Sequence, residues 1–258
     1  MKKENTGKKN MGRFCGIAAA AVLVCSSVGL NASPAFAKEA AGLPVVGTLA
    51  QVLTISSHST KGGVSTDLKI PKIKLDSSMP KAVNDAIAKA ADKYAEDAKA
   101  EFAQYKKEFF ANGGTQAEWA DRDMSVSIDY KVRSNTKDTL SLELITAKNW
   151  TSAEEEHSFY NIDLKNDKAL TLEALLGKDY IKKCNDSIVS QINKKIAADE
   201  NAIFFGYGKD DGVGAEKFTT ITPDTKFYVN EKGNAVVVFD AYEIAPGYMG
   251  TQAFEIAE

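Results

Sequence analysis

The chain is poor in cysteine, with three in 258 residues. Cys15 and Cys25 lie in an N-terminal apolar segment, so the rest of the chain carries Cys184 alone. A single thiol cannot form an intramolecular disulfide, which excludes the small secreted scaffolds that depend on such cross-links. Cys184 falls on the apolar stripe of a predicted helix, and this position favours a buried structural thiol over a nucleophile.

Histidine is also scarce, and the two histidines, His58 and His157, are far apart in the sequence. A zinc site requires three or four ligands and hydrolysis usually requires a base beside a nucleophile, so neither is predicted. The loop "GYGKDDGVG", residues 206–214, has neither the phosphate-loop pattern nor the dinucleotide-binding glycine spacing. We predict no metal, no cofactor and no enzymatic activity. The alternative is a glycosidase-type carboxylate pair drawn from Asp210, Asp211, Asp240 and Glu243.

Long apolar runs are absent except near the N-terminus. Basic residues predominate in Met1–Arg13, and an apolar run follows over Phe14–Leu30. The sequence "NASPAFA" then places Ala35 and Ala37 in the A-x-A pattern of a cleavage site. We predict a secretory signal peptide cleaved between Ala37 and Lys38, and a protein that is secreted or held on the extracellular face of the envelope. The alternative is an uncleaved membrane anchor, because the run is near the lower limit for spanning a bilayer.

The chain has no excess of basic residues, with 32 Lys and Arg against 35 Asp and Glu. Removal of the signal peptide, residues 1–37, takes away five basic residues and one acidic residue. This leaves 27 against 34, a net charge of −7. Such a balance argues against nucleic-acid binding. It favours a basic protein partner, because opposite charges steer encounter, although acidity also serves solubility alone.

Apolar periodicity predicts an α+β fold: antiparallel sheets with one long and one medium amphipathic helix packed on them. Gaps of three and four residues from Val83 to Phe109 indicate the long helix, which "NGG" ends at residues 112–114. A second stripe runs from Ile181 to Ile196. Alternation in "MSVSIDYKV", "TLSLELITAKNW" and "HSFYNIDL" predicts an antiparallel meander. We assign an N-terminal subdomain to residues 38–170 and a C-terminal subdomain to residues 171–258.

The stretch "FDAYEIAPGYMGTQAFEI" begins and ends like a strand, but its centre cannot continue one. That centre is Pro246, Gly247, Tyr248, Met249 and Gly250. Proline and glycine permit a sharp reversal, whereas a tight turn does not require tyrosine or methionine. An exposed aromatic side chain at a rigid turn is typical of a binding surface, so we predict that Tyr248 and Met249 contact a partner. The alternative is that Tyr248 folds back into the core.

Four segments resemble the extracellular part of RsiV-type anti-sigma factors, which combines two domain families of unknown function. They are "LPVVGTLAQVLTI", "LKIPKI", "FYNIDLKNDKALTLEALL" and "FYVNEKGNAVVVFDAYEIAPGYMG". The resemblance implies an α+β fold and binding of host C-type lysozyme, a basic protein, at the cell surface. It also implies that Pro246 and Tyr248 lie at the lysozyme contact. To the same predicted contact surface we assign Glu243, Gly247, Met249, Ser152 and Trp150. The alternative for Trp150, which ends a strand, is burial.

The chain departs from this family pattern at two places. The polar segment Met1–Arg13 is shorter than the cytoplasmic segment that grips a sigma factor, which argues against anti-sigma activity. "NWTSAEEEH", residues 149–157, replaces a glycine-rich "GGAH" piece, and only His157 keeps its residue type. We therefore predict a sensor, decoy or inhibitor of lysozyme without catalysis. The alternative is a cell-wall glycan-binding module of the kind that accompanies peptidoglycan deacetylases.

Overall fold

The computed structural model describes residues 49–150, 155–207 and 217–257. Within these ranges the chain forms two β-sheets and four α-helices, which confirms the predicted α+β class. The predicted signal peptide and residues 208–214 of the glycine-rich loop lie outside the described residues.

The first sheet has six strands in the order β1-β2-β3-β4-β5-β6. These are β1 (Gln51–Lys61), β2 (Val64–Lys74), β3 (Met124–Asn135), β4 (Thr139–Lys148), β5 (Glu155–Asp163) and β6 (Lys168–Ala169). The second sheet has three antiparallel strands, β7 (Phe227–Val229), β8 (Ala235–Phe239) and β9 (Gln252–Ile256). The helices are α1 (Ser78–Ala111), α2 (Gln116–Ala120), α3 (Leu172–Leu176) and α4 (Tyr180–Ala198).

One strand pair departs from the predicted antiparallel arrangement. The meander β3-β4-β5 is antiparallel as predicted, but β2 and β3 run parallel, with Val64 opposite Met124 and Leu68 opposite Ile128. A parallel pair requires a crossover, and α1 with α2 supplies it. Alternation reports which face of a strand is buried and not which strand lies beside it, so the sequence could not show this pairing.

α1 packs its apolar stripe on one face of the six-stranded sheet. Val83, Ile87 and Ala91 are buried against β-strand residues that include Ile128 and Leu140. The helix ends at Ala111, where the predicted "NGG" segment begins. The packing of one helix stripe against alternate strand residues is the arrangement expected for a single hydrophobic core between two layers.

The N-terminus of α1 is capped from a remote part of the chain. Ser77 occupies the N-cap position but makes no side-chain capping bond. The Asp167 carboxylate, in the turn between β5 and β6, accepts hydrogen bonds from the backbone N–H of Ser78 at 3.0 Å and of Met79 at 2.9 Å. The Ser78 hydroxyl also donates to this carboxylate, at 2.6 Å, and that bond together with the backbone bonds lowers the pKa of Asp167 to about 2.

The second sheet lies on the face of the first sheet opposite α1. Ser141 Oγ accepts a hydrogen bond from the backbone N–H of Val229 at 3.1 Å, and Asn161 Nδ2 donates to the Phe227 carbonyl at 2.8 Å. The ring of Tyr228 stacks on Phe159 with centroids 5.7 Å apart. The edge strand β7 is therefore fixed to side chains of β4 and β5.

A buried ion network lies near this junction. Glu143 is 2% exposed, with Arg133 Nη2 at 2.5 Å from Oε2 and His157 Nδ1 at 2.8 Å from Oε1. Burial alone raises the pKa of Glu143, but the hydrogen bond from His157 and the charge of Arg133 outweigh it and lower that pKa. His157 is thus a structural partner of a buried carboxylate.

The second core lies between α4 and the three-stranded sheet. Cys184, Ile188 and Ile192 pack there with Phe204 and Phe254. Cys184 is fully buried, and burial raises the pKa of its thiol to about 11, so the predicted structural thiol is confirmed. The predicted stripe was wrong at one position, because Ile181 is 39% exposed.

Candidate partner-binding site

The segment between β8 and β9 opens with a tight turn. β8 ends at Phe239, and the chain then reverses over Asp240–Glu243. The Glu243 backbone N–H donates to the Asp240 carbonyl at 3.2 Å, and the Asp240 N–H donates to Glu243 Oε2 at 2.9 Å. Glu243 is exposed, and the turn uses one of its two carboxylate oxygens.

A second reversal follows at the predicted proline–glycine turn. Pro246 is extended, with φ −59° and ψ 149°, and Gly247–Met249 form one turn of 3₁₀-helix. The Met249 N–H donates to the Pro246 carbonyl and the Gly250 N–H to the Gly247 carbonyl, both at 2.9 Å. Gly250 has φ +62°, a conformation that glycine adopts without strain, and it directs the chain into β9.

The base of the turn is anchored in the second core. Ile244 and Ala245 are buried, and the Ile244 carbonyl accepts from the Phe205 N–H at 2.9 Å. Met249 is half-buried against this core, and its Sδ accepts from the Ile203 N–H at 3.2 Å. Met249 therefore fixes the turn from inside instead of projecting as the sequence analysis predicted, because its flexible thioether fills the gap beneath the turn.

Tyr248 projects from this anchored base. Its side chain is 68% exposed, so the alternative that places Tyr248 in the core is wrong. Its hydroxyl donates to the Asn201 carbonyl at 2.8 Å, beyond the end of α4. The Asn201 N–H in turn donates to Asp199 Oδ1 at 2.9 Å. The Tyr248 side chain is thus fixed at its backbone by the turn and at its hydroxyl by Asn201, while most of its surface remains accessible.

Tyr242 is the other exposed ring of this segment. It is 62% exposed, and its backbone has φ +68°, in the left-handed region that an aromatic residue rarely adopts. The ring lies directly on Gly247, where an added Cβ would stand 2.1 Å from Tyr242 Cζ. Within the described ranges, the large apolar side chains that are exposed are Tyr242, Tyr248 and Ile181.

Acidic side chains surround the turn. Asp199 and Glu200 are exposed immediately before Asn201, which holds the Tyr248 hydroxyl. Glu243 is exposed beside Tyr242. Asp240 is neutralised by an ion pair with Lys226. Exposed carboxylates therefore lie next to the two tyrosines.

An open groove of about 380 Å³ adjoins the turn. Glu243 and Ile244 form one wall, and Phe218 and Phe239 form part of the lining. Four threonines contribute polar groups to it: Thr219, Thr220, Thr222 and Thr225. Lys217, Asp224 and Lys226 also line it, so the groove offers apolar, hydroxyl and charged surface together.

The structure brings five of the seven predicted contact residues together, namely Glu243, Pro246, Gly247, Tyr248 and Met249. Trp150 is elsewhere: it is 8% exposed and packs against Phe102 with ring centroids 5.5 Å apart. The alternative of burial is therefore right for Trp150 and its exposure as a contact is wrong, because Phe102 of α1 packs against it. Ser152 lies outside the described residues.

Two residues of the site were missed from the sequence. Tyr242 sits between acidic residues in "FDAYE", and an aromatic residue in a polar turn was the signal that identified Tyr248. The sequence instead predicts a strand for the stretch from Phe239 through Tyr242, because the pattern of apolar residues continues there. Asn201 contributes a backbone carbonyl, which no side-chain pattern reports.

No cluster of three or more His, Cys, Asp and Glu side chains that could hold a metal ion occurs in the part of the chain that the structure describes. In that same part, every helix is too short or too polar to span a bilayer.

Comparison with known proteins places this site within a family. The family described as "Protein of unknown function (DUF3298)" matches residues 173–257, which include α4, the second sheet and the whole turn. The anti-sigma-V factor RsiV of Bacillus subtilis strain 168 is 32% identical over 240 residues, covering 92% of this chain and 78% of RsiV. The chain belongs to the RsiV family. Residues 38–258 make up less than 92% of the chain. The similarity to RsiV therefore extends into the predicted signal peptide.

Two solved structures of DUF3298 proteins are also similar to the chain. One, from Bacteroides fragilis, has a TM-score of 0.47 and 14% identity, and the alignment covers 81% of this chain and 90% of that protein. The other, from Pseudomonas aeruginosa, has a TM-score of 0.43 and 15% identity, and the alignment covers 80% and 89% respectively.

Proposed function

We propose that this RsiV family member is a non-catalytic binding protein of the outer cell envelope that recognises a C-type lysozyme through residues 246–250. The observation that supports this most is Tyr248, which is 68% exposed while its hydroxyl is bonded to the Asn201 carbonyl. A ring held in place before binding loses little conformational entropy when a partner covers it. Tyrosine is also among the residues that contribute most to binding energy at protein interfaces.

The charge of the chain supports a basic partner. Residues 38–258 carry a net charge of −7, and Asp199, Glu200 and Glu243 are exposed near Tyr242 and Tyr248. C-type lysozymes are basic, so attraction between the two proteins would speed association and would weaken as salt is added. The two features, charge and exposed aromatic surface, occur on the same part of the molecule.

Family membership favours binding over turnover. RsiV is named as an anti-sigma factor, a kind of protein that acts by holding a partner. For the present chain we propose recognition of lysozyme as a sensor, decoy or inhibitor. The DUF3298 match, residues 173–257, includes the candidate turn.

A cell-wall glycan is the second candidate ligand. The groove beside Glu243 carries four threonine hydroxyls together with the apolar side chains of Phe218, Phe239 and Ile244, and it adjoins the segment that carries the exposed tyrosines. Hydroxyl donors beside apolar rings suit sugar binding. Lysozyme remains the first proposal because the fixed turn, more than the groove, presents the exposed apolar surface.

Isothermal titration calorimetry of the full-length protein in detergent tests the proposal, with C-type lysozyme and purified cell wall as separate ligands. We expect lysozyme to bind, added salt to weaken binding, and Tyr248→Ala to weaken it strongly. Ile181→Ala removes an exposed apolar side chain from α4 and is the matched control. If the protein binds cell wall but not lysozyme, the glycan becomes the proposed ligand. Turnover of any glycan would contradict a non-catalytic role.

The proposed location needs a separate measurement. Mass spectrometry of the protein from culture supernatant and from membranes gives the N-terminus in each fraction. We expect the secreted form to begin at Lys38. An intact chain confined to the membrane fraction would instead show a retained anchor.

A further inference from the structure

We propose that Tyr242 is a second aromatic contact for the basic partner and that Gly247 sets the position of its ring. This inference rests on the proposed function, because it adds a contact residue to the same surface. The partner is a basic protein whose arginine or lysine side chains lie over the exposed tyrosine rings.

The exposure of Tyr242 matches that of Tyr248. The two side chains are 62% and 68% exposed, whereas Ile181, the other exposed large apolar side chain of the described chain, is only 39% exposed. The Tyr242 ring rests on Gly247, and Gly247 directly precedes Tyr248. The two rings therefore belong to one surface whose centre is a residue without a side chain.

The backbone of Tyr242 argues that the ring is there for a purpose other than folding. A left-handed conformation is unfavourable for a tyrosine, and asparagine or glycine would adopt φ +68° with less strain. The ring gains no place in the core in return. Such strained residues cluster at binding and active sites, where the surrounding structure holds them. Here the two hydrogen bonds between Asp240 and Glu243 hold the turn.

The exposed surfaces of the Tyr242 and Tyr248 rings indicate which chemical groups the partner supplies. Elsewhere in the chain, cations lie over aromatic rings: Arg133 is 4.6 Å from the centroid of Tyr228, and Lys217 is 4.3 Å from that of Tyr207. Among the residues described, no cation lies over Tyr242 or over Tyr248. Guanidinium and ammonium groups are attracted to an aromatic face, and nearby exposed carboxylates strengthen their attraction to this surface.

Tyr242→Asn is the decisive variant, because asparagine tolerates the left-handed backbone while it removes the ring. With C-type lysozyme and full-length protein in detergent, we expect Kd to rise at least about tenfold. The thermal unfolding temperature should not fall. Tyr242→Phe keeps the ring and should bind within about twofold of the unaltered protein. Ile181→Ala should leave Kd unchanged.

The outcomes separate this inference from the proposed function. If Tyr248→Ala abolishes binding but Tyr242→Asn changes Kd by less than about twofold, Tyr242 is not a contact and the lysozyme proposal stands. If Tyr242→Phe weakens binding as much as Tyr242→Asn, the ring face is not the contact and the inference is overturned. If the unaltered protein does not bind lysozyme, both proposals fail together.

Discussion

Two groups of aromatic side chains in this protein behave in opposite ways. In the C-terminal part of α1, four rings converge on Trp119 and Trp150, and Trp119 lies 5.2 Å from Phe109 and 5.6 Å from Phe102. In the turn between β8 and β9, Tyr242 and Tyr248 leave most of their surface to solvent. The first group faces inward on a helix and the second faces outward on a turn.

The contrast lies in what covers the rings. Arg122 lies 4.6 Å from the centroid of Phe109, and Lys106 lies 5.4 Å from that of Trp119, so cations of the same chain occupy ring faces in the first group. The turn has a hydroxyl tether and a glycine support but no such cover among the described residues. Rings that are covered within the fold stabilise it, and rings that are held but uncovered are available to a partner.

Trp119→Ala should have the largest effect on stability. The change removes the ring around which the first group packs, and it should lower the free energy of unfolding by about 3–5 kcal/mol. Urea denaturation followed by circular dichroism measures this, and the folded fraction should bind lysozyme with unchanged affinity. A loss below about 1 kcal/mol would show that the first group does not support the fold.

Tyr248→Ala should have the reverse profile. We expect lysozyme affinity to fall about 30-fold, or about 2 kcal/mol, because the central exposed ring is lost. The free energy of unfolding should fall by no more than about 1 kcal/mol, since one hydrogen bond to Asn201 disappears. Calorimetry and urea denaturation of the same sample give both values. A large loss of stability with unchanged affinity would reverse the assignment of the two groups.

Two glycines offer a matched pair for a finer test. An added Cβ at Gly247 would stand 2.1 Å from Tyr242 Cζ, and one at Gly114 would stand 2.3 Å from Phe109 Cε1. Gly247→Ala should therefore displace an exposed ring and raise Kd for lysozyme about fivefold, or about 1 kcal/mol. Gly114→Ala should displace a packed ring and cost about 1 kcal/mol of stability without changing Kd. If both variants changed Kd and stability to the same extent, the exposed rings and the packed rings would not differ in role.

Strong acid should weaken the remote cap at the N-terminus of α1. The pKa of Asp167 is about 2, lowered from an ordinary value of 3.8 by its bonds to Ser78 and Met79. Because the folded pKa is depressed, this contribution to stability is complete above pH 3.8 and is lost as the pH falls through about 2. Asp167→Asn should flatten the pH dependence of the unfolding temperature in that interval. An unchanged pH profile in this variant would exclude Asp167 as the titrating group.

Local patterns were enough to predict much of this fold. The apolar stripe of α1, the meander β3-β4-β5 and the reversal at residues 246–250 each depend on residues close together in the sequence. The parallel pairing of β2 with β3 depends on where a long helix returns the chain, which no strand pattern contains. The cap of α1 comes from Asp167, 88 residues after Met79, and is equally remote.

The site was predicted in outline for the same reason. Tyr248 follows a proline–glycine pair that fixes a turn, so its exposure could be inferred from neighbours. Trp150 carries the same kind of side chain at the end of a strand, but its burial depends on Phe102 of α1. Tyr242 required knowledge of a left-handed backbone, and only glycine or asparagine would have signalled that conformation in the sequence.

The attachment of β7 to the first sheet has a consequence for anyone who would excise the C-terminal part. The DUF3298 match begins at residue 173, yet Val229 and Phe227 satisfy their outward backbone groups with Ser141 and Asn161, which precede that boundary. A fragment cut there would expose β7 as a bare strand edge, a surface that recruits other strands. The DUF3298 match is thus shorter than the segment needed to cover the edge of β7.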